Sequence, residues 1–186
     1  MSTDGTIARQ VTDTGPIDPD ALVADLYASE ARSLVRLARI FCDDQASAED
    51  LVQEAFIRLH RSAGSIRDLG RAPAFLRSIV INLARDHNRR GLMSLRHRAS
   101  MPVERPEPGF EDETAESEDD RAVLAAVRLL PDRQRACVVM RYYLQYSESE
   151  IAETLGISKN SVKTHNRRAL ASLEATLGAM TQEATG

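Results

Sequence analysis

The segment from Ser147 to Leu173 constrains the fold more than any other part of the chain, because it combines the marks of two helices joined by a sharp turn. Ser147 and Glu150 have the spacing of a capping box, in which each side chain bonds to the backbone N–H of the other at a helix start. Gly156 can adopt the positive φ that ends a helix abruptly. Ser158 suits the N-cap of the next helix. We therefore predict a helix, a tight turn and a second, crossing helix.

The second helix of this segment has one apolar stripe, formed by Val162, Ala169 and Leu173. The remaining side chains are amides, hydroxyls and cations, the groups that reach base edges and phosphates in a major groove. The residues concerned are Lys159, Asn160, Ser161, Lys163, Thr164, His165, Arg167 and Arg168. A solvated helix face would explain any one of these charges. The ordered combination of cap, turn and polar helix favours a DNA-reading helix-turn-helix.

Composition and periodicity predict an all-α fold of two small helical domains. Aromatic residues make up only 4% of the chain and Trp is absent, so the core must be built from Leu, Val, Ile and Ala, which favours helices over sheets. Helical spacing of apolar residues is clear in two blocks and is lost between them. The predicted divisions are a disordered extension at 1–18, a bundle at 19–91, a linker at 92–118, a helix-turn-helix domain at 119–176 and a flexible tail at 177–186.

The charge distribution predicts two blocks joined by a flexible acidic linker. The formal net charge is −4, but residues 91–120 carry nine acids against three arginines, whereas residues 121–175 carry nine basic residues against five acids. Pro102, Pro106 and Pro108 and the scarcity of apolar residues favour an unstructured connection. Because the local patch matters more than the total, the acidic balance does not exclude nucleic acid.

The first block contains two helices with outward-facing polar groups. The segment from Asp50 to Arg61 is amphipathic, and Ser47 with Asp50 has the spacing of an N-cap ahead of it. A later helix, beginning near Pro73 and ending near Arg90, gathers cations and amides suited to a nucleic-acid backbone and to bases. From the residues alone, the outer face of a helical bundle explains these groups equally well.

Together these segments resemble a known family. Asp50–Arg61 and Ala74–Asp86 look like region 2 of the sigma-70 family, in the short extracytoplasmic-function (ECF) form that keeps only regions 2 and 4. Three further segments resemble region 4, namely Leu130–Arg135, Ser149–Ala152 and Ser161–Thr164. The chain departs from the usual pattern at Ile66 and Phe75, where an aromatic residue and Trp are common. It departs again at His165 and Asn166, where Arg and Leu are usual.

The resemblance implies a division of labour in transcription initiation. The helix from Asp50 to Arg61 would dock on the β′ subunit of RNA polymerase core, and the linker would thread toward the polymerase's RNA exit path. The implied partners are thus the core enzyme, with its β′ and β subunits, and promoter DNA. The docking residues would be Asp50, Gln53, Glu54, Ile57, Arg58 and Arg61. The −10 promoter element would be melted and captured by Ile66, Arg67, Phe75, Arg77, Asn82, Arg85, Asn88 and Arg89. The helix-turn-helix would read the −35 element, and family members often bind an anti-sigma factor.

Two other classes of protein compete with this interpretation. A LuxR-type regulator would also fit the run Val162–His165 and would bind duplex DNA without being a polymerase subunit. An enzyme is disfavoured, because the four histidines lack metal-ligand spacing and the chain has no HExxH, GxSxG or P-loop motif. We expect no metal and no cofactor. The short apolar stretches, the absence of a signal-peptide pattern and the two isolated cysteines, taken as buried free thiols, predict a cytoplasmic protein.

Overall fold

The computed structural model describes residues 18–66, 68–97 and 117–183, and in these ranges every regular element is helical. This confirms the predicted all-α class. The helices are α1 (Pro19–Arg39), α2 (Gln45–Ser62), α3 (Ala72–His97), α4 (Glu118–Leu129), α5 (Asp132–Val138), α6 (Glu148–Leu155) and α7 (Lys159–Glu183). Two short 3-10 turns, Ala63–Ser65 and Leu69–Arg71, connect α2 to α3. The N-terminal extension, most of the predicted linker and Arg67 lie outside the described residues.

The first two helices begin at aspartate caps. The Asp18 carboxylate accepts a hydrogen bond from the Asp20 backbone N–H at 3.0 Å, and Pro19 supplies the preset φ of a first helical residue. In α2 the cap is Asp44, whose carboxylate accepts from both the backbone N–H and the hydroxyl of Ser47 at 2.7 Å. The expectation that Ser47 caps this helix was therefore wrong. The helix starts three residues earlier, where the Asp44 carboxylate satisfies a free N–H with a full charge at the positive end of the helix.

The N-terminal lobe is a three-helix bundle held by aliphatic side chains. Leu34, Leu37, Leu59, Leu76 and Ile81 are almost fully buried where α1, α2 and α3 meet. Such side chains each contribute about 1.5–3 kcal/mol by leaving water. This packing fixes the rotation of α2 and α3, and so determines which of their polar faces remain outside.

Two helices run further than the sequence indicated. Helix α3 continues to His97 rather than ending near Arg90, and α7 continues to Glu183, through part of the tail predicted to be flexible. Strong helix formers follow both expected ends, including Leu92, Met93 and Leu95 in α3. A single glycine such as Gly91 costs a helix about 1 kcal/mol and does not have to end it.

In the C-terminal lobe, the helix that follows Pro131 ends in a widened turn. The segment expected to be one helix to Leu144 is α5 followed by a π-helical turn at Val139–Tyr143, where the Leu144 N–H bonds to the Val139 carbonyl at 3.0 Å. The Arg135 guanidinium donates to the carbonyls of Arg128 and of Leu130, and so joins the end of α4 to α5. This hydrogen bond joins residues five apart instead of four, so the turn is π-helical rather than α-helical just before the helix-turn-helix.

The two lobes pack against each other. Arg135 also donates to the Ile40 carbonyl at 3.5 Å, and its guanidinium lies 6.0 Å from the centre of the Phe41 ring. Buried apolar side chains of α5, the π-helical turn and α6 join the core of the N-terminal bundle. Cys42 and Cys137 are both buried and free, as predicted. Among the described residues, no helix is long and apolar enough to cross a membrane.

Candidate nucleic-acid interface

The helix-turn-helix forms as its local sequence predicts. The Ser147 backbone N–H donates to Glu150 Oε2 at 2.8 Å, and the Glu150 N–H donates to Ser147 Oγ at 3.3 Å. These bonds lower the pKa of the Glu150 carboxyl, because they favour its charged form. Gly156 ends α6 with a φ of 62°. Ser158 Oγ accepts from the Ser161 N–H at 3.1 Å at the start of α7. The turn between α6 and α7 is thus formed by one glycine and one serine cap, while the capping box fixes the start of α6.

The first half of α7 presents a polar, cationic face. Val162 and Ala169 are completely buried, which turns the opposite side of the helix outward. The exposed members of the predicted set are Lys159, Asn160, Lys163, Arg167 and Arg168, and the half-buried ones are Ser161, Thr164 and His165. Lys163 Nζ lies 3.7 Å from a Glu148 carboxylate oxygen. This exposed face carries cations and amides, the side-chain types that contact base edges in the groove of a DNA duplex.

His165 differs from the rest of this face. Burial lowers the pKa of its imidazole below the ordinary 6.5, and the nearby charges of Arg133, Arg168 and Arg85 lower it further. Its Nδ1 is buried and finds no hydrogen-bond partner among the described residues, and neither does Asn166 Oδ1. His165 is therefore half-buried among arginines of α5, α7 and α3 rather than fully in solvent.

One face of α2 carries all six predicted docking residues. They follow the i, i+3, i+4 spacing of a single helix face and are Asp50, Gln53, Glu54, Ile57, Arg58 and Arg61. Glu54 is half-buried and the other five are exposed. Arg58 Nε lies 2.7 Å from a Glu54 oxygen. Ile57 is an apolar side chain in the middle of this polar face and is 46% exposed.

The predicted −10 residues are divided between different surroundings. Phe75 and Arg89 are exposed and Ile66 is half-buried, whereas Arg67 lies outside the described residues. Arg77 turns toward α1, where its guanidinium donates to both carboxylate oxygens of Glu30 at 3.0 and 2.8 Å. In this structure the Arg77 guanidinium is thus paired with a carboxylate of the N-terminal bundle.

The other three, Asn82, Arg85 and Asn88, face the C-terminal lobe. Asn82 Nδ2 donates to the Thr154 carbonyl at 3.1 Å, and Asn88 Nδ2 donates to Asp132 Oδ1 at 3.3 Å. The pKa of the Arg85 guanidinium is lowered by burial and then by the charge of Arg133 on α5. The structure therefore brings one face of α3 against residues of α5 and α6.

Sequence reasoning missed the residues of the C-terminal lobe that make these contacts. Tyr146 is 9% exposed, and its hydroxyl donates to the Ala74 carbonyl at 2.9 Å. Thr154 Oγ1 lies 3.4 Å from Ser78 Oγ. A buried tyrosine hydroxyl needs a partner, which was the one available signal for Tyr146. Nothing in the sequence marks Thr154. The described residues contain no cluster of three metal-ligating side chains.

Comparison with known proteins identifies the family. Sigma-70 region 2 matches residues 26–91, and Sigma-70, region 4 matches residues 120–173. The ECF RNA polymerase sigma factor SigM of Mycobacterium tuberculosis is 35% identical over 153 residues, covering 82% of this chain and 76% of the relative. The RNA polymerase sigma-E factor of Streptomyces avermitilis is 34% identical over 142 residues, 76% of each chain. This chain belongs to the ECF RNA polymerase sigma factors.

Solved sigma factors share the fold of this ECF sigma factor. The sigma factor RpoE of Bartonella quintana, in complex with the anti-sigma factor NepR, superposes with a TM-score of 0.69 at 18% identity over 83% of this chain and 96% of that one. CnrH, in complex with the cytosolic domain of CnrY, gives 0.57 at 24% identity over 87% and 99%. The resemblance to the sigma-70 family is confirmed. The LuxR-type alternative was wrong, because the N-terminal lobe matches sigma region 2.

Proposed function

We propose that this ECF sigma factor binds RNA polymerase core through the exposed face of α2, holds −10 DNA with the connector 63–71 and α3, and reads the −35 element with α7. The observation that supports this most is the order of two matched regions on one chain, each with its own exposed polar face. The chain would contribute binding energy only, and core polymerase would supply the chemistry. The site of action would be the cytoplasm.

The −35 assignment follows from the start of α7. Lys159 and Asn160 lie exposed at its first turn, where recognition helices place base-reading side chains, and Arg167 and Arg168 lie exposed two turns later. Arg168→Ala should weaken binding to all promoters alike and reduce the salt slope by about 1, whereas Asn160→Ala should change base preference. Arg121→Ala is the control, since Arg121 is exposed on α4 away from this helix.

The −10 assignment follows from the connector and α3. Phe75 is 41% exposed and Ile66 borders the same cavity, so both can lie against unstacked bases. The Asn82 amide has both a donor and an acceptor for the edge of a base, and its Nδ2 would have to leave the Thr154 carbonyl, to which it donates in this structure. Extruding a base costs a few kcal/mol, which stacking and hydrogen bonds in such a pocket recover.

The docking assignment rests on Ile57, the exposed apolar residue within the polar face of α2. Ile57→Glu should abolish assembly with core polymerase while leaving the fold intact, because this side chain packs little within the lobe. Leu129→Glu is the matched control, since Leu129 is 70% exposed in the C-terminal lobe and lies outside the docking face. Equal loss of assembly in both variants would show that α2 is not the docking site.

Run-off transcription with core polymerase, mapped over a whole bacterial genome, tests the proposal directly. We expect initiation at a defined set of promoters only when the chain is present, and binding to fork-junction DNA that requires core. Tight binding by the free chain to a duplex operator, with no promoter-specific initiation, would overturn the proposal.

We also propose that an anti-sigma factor controls this chain. The support is that RpoE, which shares its fold, was solved with the anti-sigma factor NepR. The chain isolated at its natural level from its own host should carry a second polypeptide that blocks assembly with core. Recovery of the chain solely as free protein and as holoenzyme would contradict this part of the proposal.

A further inference from the structure

Four basic side chains from three helices lie close together where the two lobes meet. Arg85 belongs to α3, Arg133 to α5, and His165 and Arg168 to α7. The charge of Arg133 lowers the pKa of both Arg85 and His165. The charges of Arg168 and Arg85 also lower the pKa of His165. Because such effects fall off with distance, the four residues form one group, which we call the basic cluster.

Two nitrogen atoms of the basic cluster are buried without a hydrogen-bond partner among the described residues. They are Arg85 Nε and His165 Nδ1. Another nitrogen of the same guanidinium, Arg85 Nη1, donates to Asn82 Oδ1 at 3.3 Å, so the Arg85 side chain is satisfied only in part within the protein. Buried polar atoms that lack a protein partner are commonly satisfied by ordered water or by an ion. The two nitrogens therefore indicate a place for a small polar ligand.

The negative charge around the basic cluster is already engaged elsewhere. Two carboxylates act on Arg85, those of Asp86 and Asp132. Asp132 Oδ1 accepts from Asn88 Nδ2 at 3.3 Å, and Asp86 Oδ1 lies 3.5 Å from Arg89 Nη2. Within residues 18–66, 68–97 and 117–183, no arginine of the basic cluster takes part in an ion pair. The cluster thus gathers positive charge from both lobes without a carboxylate of its own.

This arrangement suits a small dianion with several oxygen atoms. Guanidinium groups bind phosphate through pairs of parallel N–H donors, and a protonated imidazole donates from both ring nitrogens. Water would satisfy the two buried nitrogens, but only an anion also offsets the repulsion between the cations. Arg133 and Arg168 are exposed, so the cluster can be reached from solvent. Because Arg85 Nε and His165 Nδ1 are buried, a ligand that contacts both must be small.

We propose that the basic cluster binds a phosphate dianion, which then connects α3, α5 and α7. The ligand is inorganic phosphate or the terminal phosphate of a mononucleotide, since both carry the same doubly charged group. This site goes beyond the proposed function, because it forms in the free chain and needs neither core polymerase nor promoter DNA. Three of its members, Arg85, His165 and Arg168, are also assigned to promoter DNA, so phosphate and DNA would compete for them.

Phosphate titration of the free, full-length chain tests the site directly. Inorganic phosphate that replaces chloride at constant ionic strength should raise the unfolding temperature in a saturable way, because a ligand that binds only the folded state stabilises it. Adenosine monophosphate should act like phosphate if the site accepts a terminal phosphate, and should have no effect if the site takes only the free anion. Adenosine should have no effect in either case. A rise with phosphate that does not saturate, or an equal rise with adenosine, would overturn the proposal.

A pair of arginine variants locates the site. Arg133→Gln removes one exposed cation of the basic cluster and should weaken phosphate binding about fivefold, the loss expected for one exposed charged contact. Arg133 is assigned neither to DNA nor to core. Arg121→Gln is the matched control, since Arg121 is exposed on α4 and is not among the charges that act on His165. Equal phosphate affinities in the unmodified chain and both variants would refute a site at the basic cluster.

The His165 imidazole reports the bound anion by an independent route. In chloride, burial and the charges of Arg133, Arg168 and Arg85 hold its pKa below the ordinary 6.5. Sulfate stays doubly charged over the whole range in which histidine titrates, and it should raise this pKa, because a bound dianion favours the imidazolium. Binding of sulfate should accordingly strengthen as the pH falls through the pKa of His165.

An NMR titration of the His165 ring signal, in sulfate and in chloride of equal ionic strength, measures this change. The His60 signal is the internal control and should respond alike to the two salts, since His60 lies on α2 with its Nε2 3.0 Å from Asp20. Sulfate should raise the pKa of His165 less in Arg133→Gln than in the unmodified chain. If sulfate changes the two histidine signals alike, or leaves the pKa of His165 where chloride has it, the basic cluster does not bind a dianion.

Discussion

Replacing Gly156 with alanine isolates the cost of a single backbone conformation. Gly156 has φ 62° and ψ 42°, and a Cβ built on it meets no atom within 4 Å, so the substitution introduces no clash. The left-handed conformation costs an alanine about 1–2 kcal/mol. Alanine also reduces the entropy of the unfolded chain, which returns about 0.4–1 kcal/mol. The expected result is a net loss of about 1 kcal/mol in the free energy of unfolding.

Urea denaturation of the full chain measures this loss. With a slope of about 2–3 kcal/mol/M, the midpoint should fall by about 0.4 M while the slope stays constant. Gly156→Asn should lose less, because asparagine tolerates the left-handed region better than alanine. Gly178→Ala is the matched control, since Gly178 lies exposed within α7, its Cβ would also meet nothing, and alanine favours a helix by roughly 0.5–1 kcal/mol. It should raise the midpoint.

The refuting result is specific. If Gly156→Ala is as stable as the unmodified chain, or if it raises the midpoint as Gly178→Ala does, the turn does not depend on a positive φ. The angle between α6 and α7 would then be set by packing alone.

Three further predictions concern other groups. His165 has a lowered pKa, so its neutral form stabilises the fold above the ordinary 6.5, and this stability is lost as the pH falls through the lowered value. In His165→Asn, the free energy of unfolding should decline less as the pH falls. If the unmodified chain and the variant lose stability in parallel, His165 is not the group responsible. A double-mutant cycle with Glu30→Gln and Arg77→Met should give a coupling of about 1–2 kcal/mol for this partly buried pair, whereas additive losses would refute it. Burial raises the pKa of the Cys42 and Cys137 thiols to about 11. At mildly alkaline pH, the rate at which a disulfide reagent modifies them should therefore equal the rate at which the protein unfolds locally and exposes them. An immediate reaction would contradict their burial.

The helix-turn-helix could be predicted residue by residue because its determinants are local. Ser147 with Glu150 and Ser158 with Ser161 act within one helical turn, and Gly156 acts on its own backbone. The predicted cap of α2 was wrong even though it is also a local feature. Asp44 and Ser47 both suit a helix start, and only the structure shows that the serine donates to the aspartate. Local patterns thus predict which helices form better than they predict their first residues.

The non-local contacts could not be predicted from one sequence. Arg77 pairs with Glu30 across 47 residues, and Asn82 meets Thr154 across 72, so no short-range pattern marks either contact. The π-helical turn at Val139–Tyr143 likewise depends on how the lobe packs. Sequence reasoning therefore predicted which face of α3 is polar, but not that the chain itself covers part of it.

The connection between the lobes determines how their contact responds to concentration. Helix α3 ends at His97, the described chain resumes at Ser117, and the residues between them can span at most roughly 70 Å whatever path they take. The contact between the lobes is therefore intramolecular, and each lobe meets the other at a local concentration fixed by the connecting residues. Dilution of the protein leaves that concentration unchanged, so the contact between the lobes should persist at the lowest concentration at which the chain is present.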